Sequence, residues 1–283
     1  MKGCDYMIYI TGDCHGNFRR FTKRQRMKLP FQFTENDYVI VCGDFGLCWA
    51  DDAEFKYNCK WLSSLPFKIL FVDGNHENFD MLNSYPAEEW NGGKIHHIVR
   101  DKIIHLMRGQ VFTIEGKTFF TMGGASSHDV QGGILDKNDP RYTKLRRRAV
   151  KEELPYRVIG ESWWKEELPL EEELQEGRNN LAQMGYQVDY IISHCASNRV
   201  QDELEMLYMG CSCYPKTYKP DILTDYFDEL ESILQYKQWI CGHYHNDIHI
   251  DDRHTCLYER ILPLTDEYEN IEDKYSVKLL DVQ

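Results

Sequence analysis

The sequence has no long hydrophobic run and no cysteine pair of the Cys-x-x-Cys type. A membrane-spanning helix needs roughly 20 consecutive apolar residues, so we expect no transmembrane segment. Without a Cys-x-x-Cys pair, the ten cysteines favour reduced, buried thiols over a disulfide framework. The first six residues are too short and too acidic for a secretory signal, so we predict a cytoplasmic location.

The chain also lacks an excess of positive charge, because 46 acidic residues outnumber 33 lysines and arginines and leave a formal net charge of -13. An acidic surface repels the nucleic-acid backbone, which disfavours non-specific duplex binding. Basic residues nevertheless cluster at residues 19–26 and 141–148. These two runs are explained either as solvated helix faces or as local attraction for an anionic substrate.

What the sequence does contain is the composition of an ordinary globular protein, with 42% hydrophobic and 28% charged residues. Its 283 residues allow one large α/β domain with insertions or two small domains. We predict a single domain over residues 1–283, with an acidic tail at about residues 262–283. Residues 126–169 lack clear periodicity and are predicted as a lid or insertion. Cys211 and Cys213 are predicted to lie in a loop, with metal or redox chemistry as the alternative.

Five apolar segments that are typical of buried strands each end in residues that can bind a metal. Glycines beside four of these ends permit sharp turns. The carboxyl ends of such strands form the edge of a sheet where α/β proteins place their ligands. The candidate ligands at the five ends are Asp13 with His15, Asp44, Asn75 with His76, His194, and His243 with His245.

These residues offer carboxylate oxygens, an amide oxygen and imidazole nitrogens, but no thiolate. Such a set suits borderline or hard cations such as Mn²⁺, Fe²⁺/³⁺, Zn²⁺ or Ni²⁺. There are too many ligands for one ion, whereas two ions about 3.5–4 Å apart and bridged by a carboxylate would use them all. Such a pair lowers the pKa of a bridging water and clamps the oxygens of a phosphoester for in-line attack. The sequence therefore predicts two divalent metal ions.

In five ordered blocks, the sequence resembles the calcineurin-like metallophosphoesterase family. The blocks span residues 12–245 and are Gly12-Asp13-Cys14-His15-Gly16, Gly43-Asp44, Gly74-Asn75-His76-Glu77, His194 and Gly242-His243-Tyr244-His245. The resemblance implies an α/β fold, a four-layer α/β/β/α sandwich with two mixed β-sheets. It also implies two-metal hydrolysis of phosphate esters by a metal-bridging hydroxide.

The resemblance further implies a role for each matching residue. Asp44 would be catalytic and would bridge the two ions, and His76 would contact the phosphate and protonate the leaving oxygen. The other ligands would divide between the ions, with Asp13, His15 and His245 on one and Asn75, His194 and His243 on the other. Glu77 would either orient His76 or cap a turn.

Two departures from the family pattern leave the substrate class open. In the branch that contains protein phosphatases and dinucleoside tetraphosphatases, the second block continues as Gly-Asp-x-x-Asp-Arg-Gly, whereas Asp44 is followed by Phe45-Gly46. The acidic partner of the catalytic histidine and the adjacent phosphate-binding arginine of that branch are therefore missing at this place. The final Gly-His-Tyr-His block is instead similar to small phosphodiesterases and nucleases.

We predict additional substrate contacts at Asn17, His128 and Arg141. A phosphatase acting on a phosphoprotein or a small molecule is favoured, because the acidic net charge disfavours long nucleic acids. The alternatives are a nuclease, a nucleotide-polyphosphate hydrolase and a non-catalytic metal-binding module. The expected partner is a phosphate ester, and no membrane association is expected.

Overall fold

The computed structural model of the protein describes residues 6–209 and 218–265. The predicted loop with Cys211 and Cys213 and most of the predicted tail, residues 266–283, lie outside the described residues. The strands, numbered in chain order, are β1 (Ile8–Thr11), β2 (Tyr38–Cys42), β3 (Lys68–Val72), β4 (Ala87–Trp90), β5 (Gly93–Val99), β6 (Ile103–Leu106), β7 (Gln110–Ile114), β8 (Lys117–Met122), β9 (Ile134–Leu135), β10 (Arg157–Val158), β11 (Tyr190–Ser193), β12 (Gln238–Cys241), β13 (Ile248–His249), β14 (His254–Cys256) and β15 (Ile261–Pro263).

The α-helices lie mainly between these strands. They are α1 (Lys23–Arg26), α2 (Ala53–Ser63), α3 (Phe79–Leu82), α4 (Tyr142–Lys151), α5 (Glu171–Gln183), α6 (Asn198–Met209) and α7 (Ile222–Ile233). Short 3-10 helices occur at Arg19–Phe21 and Lys165–Glu167. Among the described residues, no helix combines the length and apolar character that a bilayer crossing would demand.

The strands build two large mixed sheets. The first has the order β15-β1-β2-β3-β6-β5-β4, and the second has the order β13-β14-β12-β11-β8-β7. Strands β1, β2, β3 and β6 run parallel to their neighbours in this group, as do β8, β11, β12 and β14. The outer pairs are antiparallel. The predicted α/β fold with two mixed sheets is confirmed.

Alternating residues of the central strands face opposite layers. In β2, Ile40 belongs to the core between the two sheets, together with Phe119 and Ile192 of the second sheet. Its neighbour Val39 belongs to the core on the other face, together with Leu62 of α2. Burial on both faces is expected for parallel strands that are covered on both sides, and it explains the continuous apolar runs.

The outer face of the second sheet is covered by helices. Ile191 of β11 and Trp239 of β12 belong to one core cluster with Leu174 of α5 and Phe227 of α7. The layers are therefore helix, sheet, sheet and helix, as the resemblance implied.

Several local predictions differ from the structure. Short apolar runs separated by glycine turns predict a series of antiparallel strands over residues 95–122. These strands divide between the sheets, because β5 pairs with β6 in the first and β7 with β8 in the second. The segment after His194 contains α6, ahead of the predicted loop with Cys211 and Cys213. Residues 126–169, which showed no clear periodicity, contain α4 and the parallel pair β9 and β10.

The sequence predicts a helix over residues 170–184 with an apolar stripe of Leu170, Leu174, Leu181 and Met184, and this stripe is only partly correct. Leu174 and Leu181 are buried, but Leu170 is 56% exposed and Met184 is 39% exposed. Gly177 lies in the packed face instead, where a Cβ would stand 2.6 Å from the hydroxyl oxygen of Tyr226. The missing side chain lets the helix approach closely, which a count of apolar residues does not reveal.

Candidate metal centre

Hydrogen bonds join the carboxyl ends of the strands where the two sheets meet. Asp13 and Asp44 follow the parallel neighbours β1 and β2 of the first sheet, and His194 follows β11 of the second. His194 Nδ1 lies 2.8 Å from the carbonyl oxygen of Cys42, the last residue of β2. The backbone N–H of His243, after β12, donates to Asp13 Oδ1 at 2.9 Å. Ligand-type residues of both sheets therefore meet at one edge.

Two buried carboxylates form the middle of this edge, since Asp13 and Asp44 are each 1% exposed. Asp13 Oδ2 lies 3.3 Å from His245 Nε2 and 3.6 Å from His15 Nε2. Asp44 Oδ2 lies 3.6 Å from His15 Nδ1, and its Oδ1 lies 3.4 Å from His194 Nε2. Asp44 thus lies between two imidazoles, where a carboxylate shared by two cations would be needed.

The ligand atoms converge in overlapping groups of three. Within each group they lie within 4.8 Å of one another, and the groups are Asp13 with His15 and His245, Asp13 with Asp44 and His194, and His15 with Asp44 and His76. His15 Nε2 and His245 Nε2 are only 2.9 Å apart. Because each group shares a residue with another, the side chains form one connected centre.

Asn75 and His243 lie beside these groups rather than in them. Asn75 Oδ1 is 3.2 Å from His194 Nε2, and its amide nitrogen donates to Ser127 Oγ at 3.2 Å. The hydrogen bond to Ser127 turns the amide oxygen toward the centre. The ring of His243 is centred 5.0 Å from that of His194. Both residues therefore border the side of the centre that contains His194.

The charges of the centre call for a cation. Burial alone would lower the pKa of His194, but the nearby Asp44 and Asp13 carboxylates raise it to about 10. Burial also works against ionisation of Asp13 and Asp44, yet His194 and hydrogen bonds hold the pKa of each carboxyl well below its usual range. A proton on His194 or a bound metal ion would balance the negative charge of the two carboxylates.

No cysteine belongs to the groups of converging ligand atoms in the described part of the chain. Burial raises the pKa of Cys14 to about 11 and that of Cys42 well above its ordinary value. A protonated thiol is a poor metal ligand. The available donors are therefore carboxylate oxygens, an amide oxygen and imidazole nitrogens, a set that fits divalent cations of the borderline or hard type.

The backbone is strained where these side chains converge. His15, Asp44, His243 and His245 have φ values of 47°, 46°, 68° and 50°, in the left-handed region that residues other than glycine rarely adopt. Strain of this kind costs about 1–3 kcal/mol per residue and concentrates at functional sites. Each of these four residues therefore has an unfavourable backbone conformation at the point where its side chain is directed into the centre.

Glu77 caps a turn instead of contacting His76. Its Oε1 accepts hydrogen bonds from the backbone N–H groups of Phe45 at 2.8 Å and Gly46 at 3.3 Å. Burial, reinforced by the Asp44 carboxylate, raises the pKa of Glu77 well above its ordinary value. Of the two roles considered from the sequence, the structure favours the cap, which supports the loop after Asp44.

Arg157, in β10, also lies at this edge, and the sequence reasoning missed it. Its Nη2 lies 3.0 Å from His76 Nε2, and its guanidinium pairs with the Asp129 carboxylate. Burial lowers the pKa of His76 to about 4, with Asp44 opposing and Arg157 acting in the same direction as burial. No local pattern marks Arg157, since it lies 81 positions from His76 in a two-residue strand.

The three predicted substrate contacts lie in different surroundings. His128 is centred 5.5 Å from His243. Asn17 is exposed two positions after His15, and its side-chain oxygen accepts the Arg19 backbone N–H at 3.2 Å. Arg141 pairs with Asp139, and in the described part of the chain it makes no hydrogen bond or ion pair with the centre. The structure therefore brings His128 near the centre but not Arg141.

A cavity of about 250 Å³ opens beside His243. Its walls combine polar and apolar groups from residues 125–130 and from the segment before α7. The lining residues are Ala125, Ser126, Ser127, His128, Val130, Cys195, Gln201, Tyr218, Lys219, Pro220, Asp221, Thr224 and His243.

Comparison with known proteins identifies a family, and the solved structures that match include two distant ones. The model of the family described as calcineurin-like phosphoesterase matches residues 6–247. A phosphopantetheinyl hydrolase from Mycobacterium tuberculosis is 13% identical, with 94% of this chain and 98% of that chain covered and a TM-score of 0.42. A protein of unknown function from Aquifex aeolicus is 16% identical, with 53% and 75% covered and a TM-score of 0.24. No curated protein matches the chain.

Proposed function

Because the chain belongs to the calcineurin-like phosphoesterase family and is a metal-dependent phosphoesterase, we propose that it acts as a phosphatase on a small molecule or a phosphoprotein. The observation that carries this proposal is the pair of buried carboxylates, Asp13 and Asp44, surrounded by imidazoles at 3.3–3.6 Å. Such a concentration of buried acids and metal-binding nitrogens is costly unless cations bind to it.

The residues of the centre divide naturally between two cations. Asp13, His15 and His245 would hold one, and Asn75, His194 and His243 would hold the other, with Asp44 shared between them. Two bound cations would supply a nucleophile from water at neutral pH and would neutralise charge on the phosphate. The donor set suits Mn²⁺, Fe²⁺/³⁺, Zn²⁺ or Ni²⁺.

His76 is proposed to contact the phosphate and to protonate the leaving oxygen. Its support is position, because its ring nitrogen lies within 4.8 Å of ligand atoms of His15 and Asp44. A guanidinium can only donate hydrogen bonds, so His76 Nε2 accepts from Arg157 in the present arrangement. Delivery of a proton from Nε2 therefore requires that the substrate take the place of this contact.

A small molecule is the substrate that the surroundings of the centre favour. The cavity of about 250 Å³ beside His243 offers space for the organic part of a compact ester. Its lining includes Ser126, His128 and Lys219, which can bind polar substituents. A cavity of this size does not accommodate a folded polypeptide, so a phosphoprotein would have to present an extended segment.

A nuclease is less well supported, because much of the positive charge in the two basic runs is engaged. The guanidinium of Arg20 binds Thr11 Oγ1 at 2.7 Å and the carbonyl oxygen of Gly12 at 3.1 Å. Arg148 pairs with Glu152 at 3.0 Å. The first of these arginines supports the Asp13 loop and is not available to a nucleic-acid backbone.

Substitution of Asp44 tests the proposal most directly. We expect Asp44→Asn to lose bound metal and at least about 1,000-fold in turnover of p-nitrophenyl phosphate with Mn²⁺ present, since one shared ligand serves both cations. Bound metal is measured by elemental analysis after dialysis. Wild-type protein with a filled metal site that hydrolyses neither p-nitrophenyl phosphate nor its bis ester would contradict the proposal.

Asp37→Asn is the matched control, because Asp37 is a second buried aspartate, just before β2. It is 2% exposed and accepts the backbone N–H groups of Met7 at 2.8 Å and Thr34 at 2.7 Å. Its loss should lower stability by about 1–3 kcal/mol while metal content stays at the wild-type level. Equal metal loss in both variants would mean that the effect of Asp44→Asn is one of folding.

A further inference from the structure

Arg157 presents a fixed positive charge at the edge of the proposed metal centre. Its Nη2 lies 3.0 Å from His76 Nε2, while Nε donates to Asp129 Oδ1 at 3.0 Å. The Arg157 side chain is only 14% exposed. The charged guanidinium therefore lies beside the residue proposed to contact phosphate and is largely buried in the protein.

The guanidinium is held in place from several sides. The Arg157 backbone N–H donates to the carbonyl oxygen of Gly133 at 3.1 Å, within the parallel pairing of β10 with β9. Ser127, two positions before Asp129, contacts Asn75 at 3.2 Å. The segment that carries Asp129 is thereby joined to a proposed metal ligand. Such support reduces the entropy lost when a ligand binds.

Arg157 still has hydrogen-bonding capacity to offer. Nε and Nη2 contact Asp129 and His76, but in residues 6–209 and 218–265 the structure records no hydrogen bond from Nη1. Asp129 holds the guanidinium through Nε and Nη2, so Nη1 can donate to an anion while this ion pair stays in place. Arginine binds phosphate oxygens with two parallel N–H donors, and Nη1 together with the Nη2 N–H that contacts His76 offers such a pair.

Two other arginines near this edge have different partners. Arg20 binds backbone carbonyl oxygens and Thr11, as described above. Arg108 is buried against Asp73, with Nε donating at 2.8 Å, and also donates to the carbonyl oxygen of Glu166 at 2.7 Å. Their guanidinium groups stabilise loops, which leaves Arg157 as the arginine placed against His76 within the described residues.

We infer that Arg157 binds a non-bridging oxygen of the substrate phosphate, with Asp129 as its positioning residue, and that this contact makes the site select phosphate monoesters over diesters. The inference rests on the proposed function. A monoester carries a charge of about -1.5 to -2 at pH 7 and has a third non-bridging oxygen. In a diester that oxygen carries a second organic group, which has neither the charge nor the acceptor that a guanidinium requires.

Orthophosphate binding tests the contact without relying on turnover. Isothermal titration calorimetry is carried out on Mn²⁺-loaded wild type, Arg157→Ala and Arg157→Lys, with metal content measured in each sample. We expect orthophosphate affinity to fall at least 10-fold in Arg157→Ala. It should fall by less in Arg157→Lys, which keeps the positive charge but lacks the two parallel N–H donors of the guanidinium. Unchanged affinity in Arg157→Ala at full metal content would overturn the inference.

The specificity claim is tested by the ratio of kcat/KM for p-nitrophenyl phosphate to that for its bis ester. We expect the ratio to fall at least 10-fold in Arg157→Ala, mainly because kcat/KM for the monoester falls. Asp129→Asn should raise KM for the monoester several-fold with a smaller effect on kcat, because it leaves the guanidinium in place but poorly oriented. An unchanged ratio in Arg157→Ala would overturn the selection of monoesters.

Arg146→Ala is the matched control from the same segment. Arg146, in α4, donates to the Tyr156 hydroxyl at 3.1 Å next to Arg157 in the chain, but it has no contact with His76 among the described residues. It should bind orthophosphate as wild type does, and an equal loss there would overturn the assignment to Arg157. If wild type hydrolyses neither ester, the proposed function fails, while the orthophosphate titration still decides whether Arg157 binds phosphate.

Discussion

Replacing Gly74 by alanine would disturb the metal centre without changing any proposed ligand. A Cβ at position 74 would lie 2.0 Å from Asp44 Oδ1 and 2.5 Å from the Asp44 backbone nitrogen. The φ of Gly74 lies outside the left-handed region, so alanine suits the local backbone and the effect comes from the collision alone.

The size of the effect follows from that distance. Ordinary contacts of a Cβ begin at 3.4 Å, so the Asp44 carboxylate must move by about 1.4 Å from its place between His15 and His194. Loss of a residue that orients a metal ligand typically weakens metal affinity about 10–100-fold, and we expect a loss in this range. Overpacking costs about 1–3 kcal/mol, which lowers the Tm of a chain of this size by roughly 2–12 °C.

Mn²⁺ affinity is measured by calorimetry on metal-depleted protein, and Tm by circular dichroism. Gly116→Ala is the matched control, because Gly116 has a φ of 78° and no atom within 4 Å of the added Cβ. It should lose about 1 kcal/mol of stability through backbone strain and keep the wild-type Mn²⁺ affinity. Wild-type affinity in Gly74→Ala would refute the reasoning that Asp44 must stay where the structure places it.

Three further outcomes are expected. His76→Asn should abolish nearly all turnover while metal content is retained, and unchanged turnover would remove His76 from the mechanism. Mn²⁺ at 100 times its Kd should raise the free energy of unfolding of the metal-depleted protein by about 2.7 kcal/mol. A Tm that does not respond to Mn²⁺ or to a chelator would contradict binding of the metal to the folded state. Burial would raise the pKa of Glu231, but hydrogen bonds with His254, Arg199 and Ser197 hold it at about 2. Because the unfolded value is about 4.3, this carboxylate stabilises the fold above about pH 4.3, and up to about 3 kcal/mol is lost as the pH falls toward 2. Urea unfolding at pH 7 and pH 3 should therefore show a smaller acid loss in Glu231→Gln than in wild type, and the exposed control Glu172→Gln should behave as wild type.

The strand ends could be predicted because their signals are short, whereas the layers of the fold followed from the resemblance of the five blocks. The apolar run of β2 and the Gly43-Asp44 turn after it lie within seven consecutive residues, so the strand, its end and the ligand-type side chain are read together. Strand β3, with Asn75 and His76 after it, follows the same rule. Parallel pairing then places such ends at one edge of a sheet.

Other features depend on which distant segments come into contact, and the periodicity of the sequence does not show this. In α5 the apolar pattern favoured Leu170 as a packed residue, but Leu170 is exposed. Gly177 packs instead, because its close contact with Tyr226 leaves no space for a side chain. Arg20 belonged to a run that fitted anion attraction, yet it holds the Asp13 loop through backbone oxygens. In both cases the neighbours that decide the role lie far away in sequence.

The sequence by itself determined which strands end in candidate ligands, since continuous apolar runs and glycine turns act over a few residues. Only the tertiary structure decided that Asp44 lies between His15 and His194, that Glu77 caps the Phe45 turn, and that Arg157 meets His76. Contacts between residues tens of positions apart depend on the path of the whole intervening chain, and short-range patterns carry no information about that path.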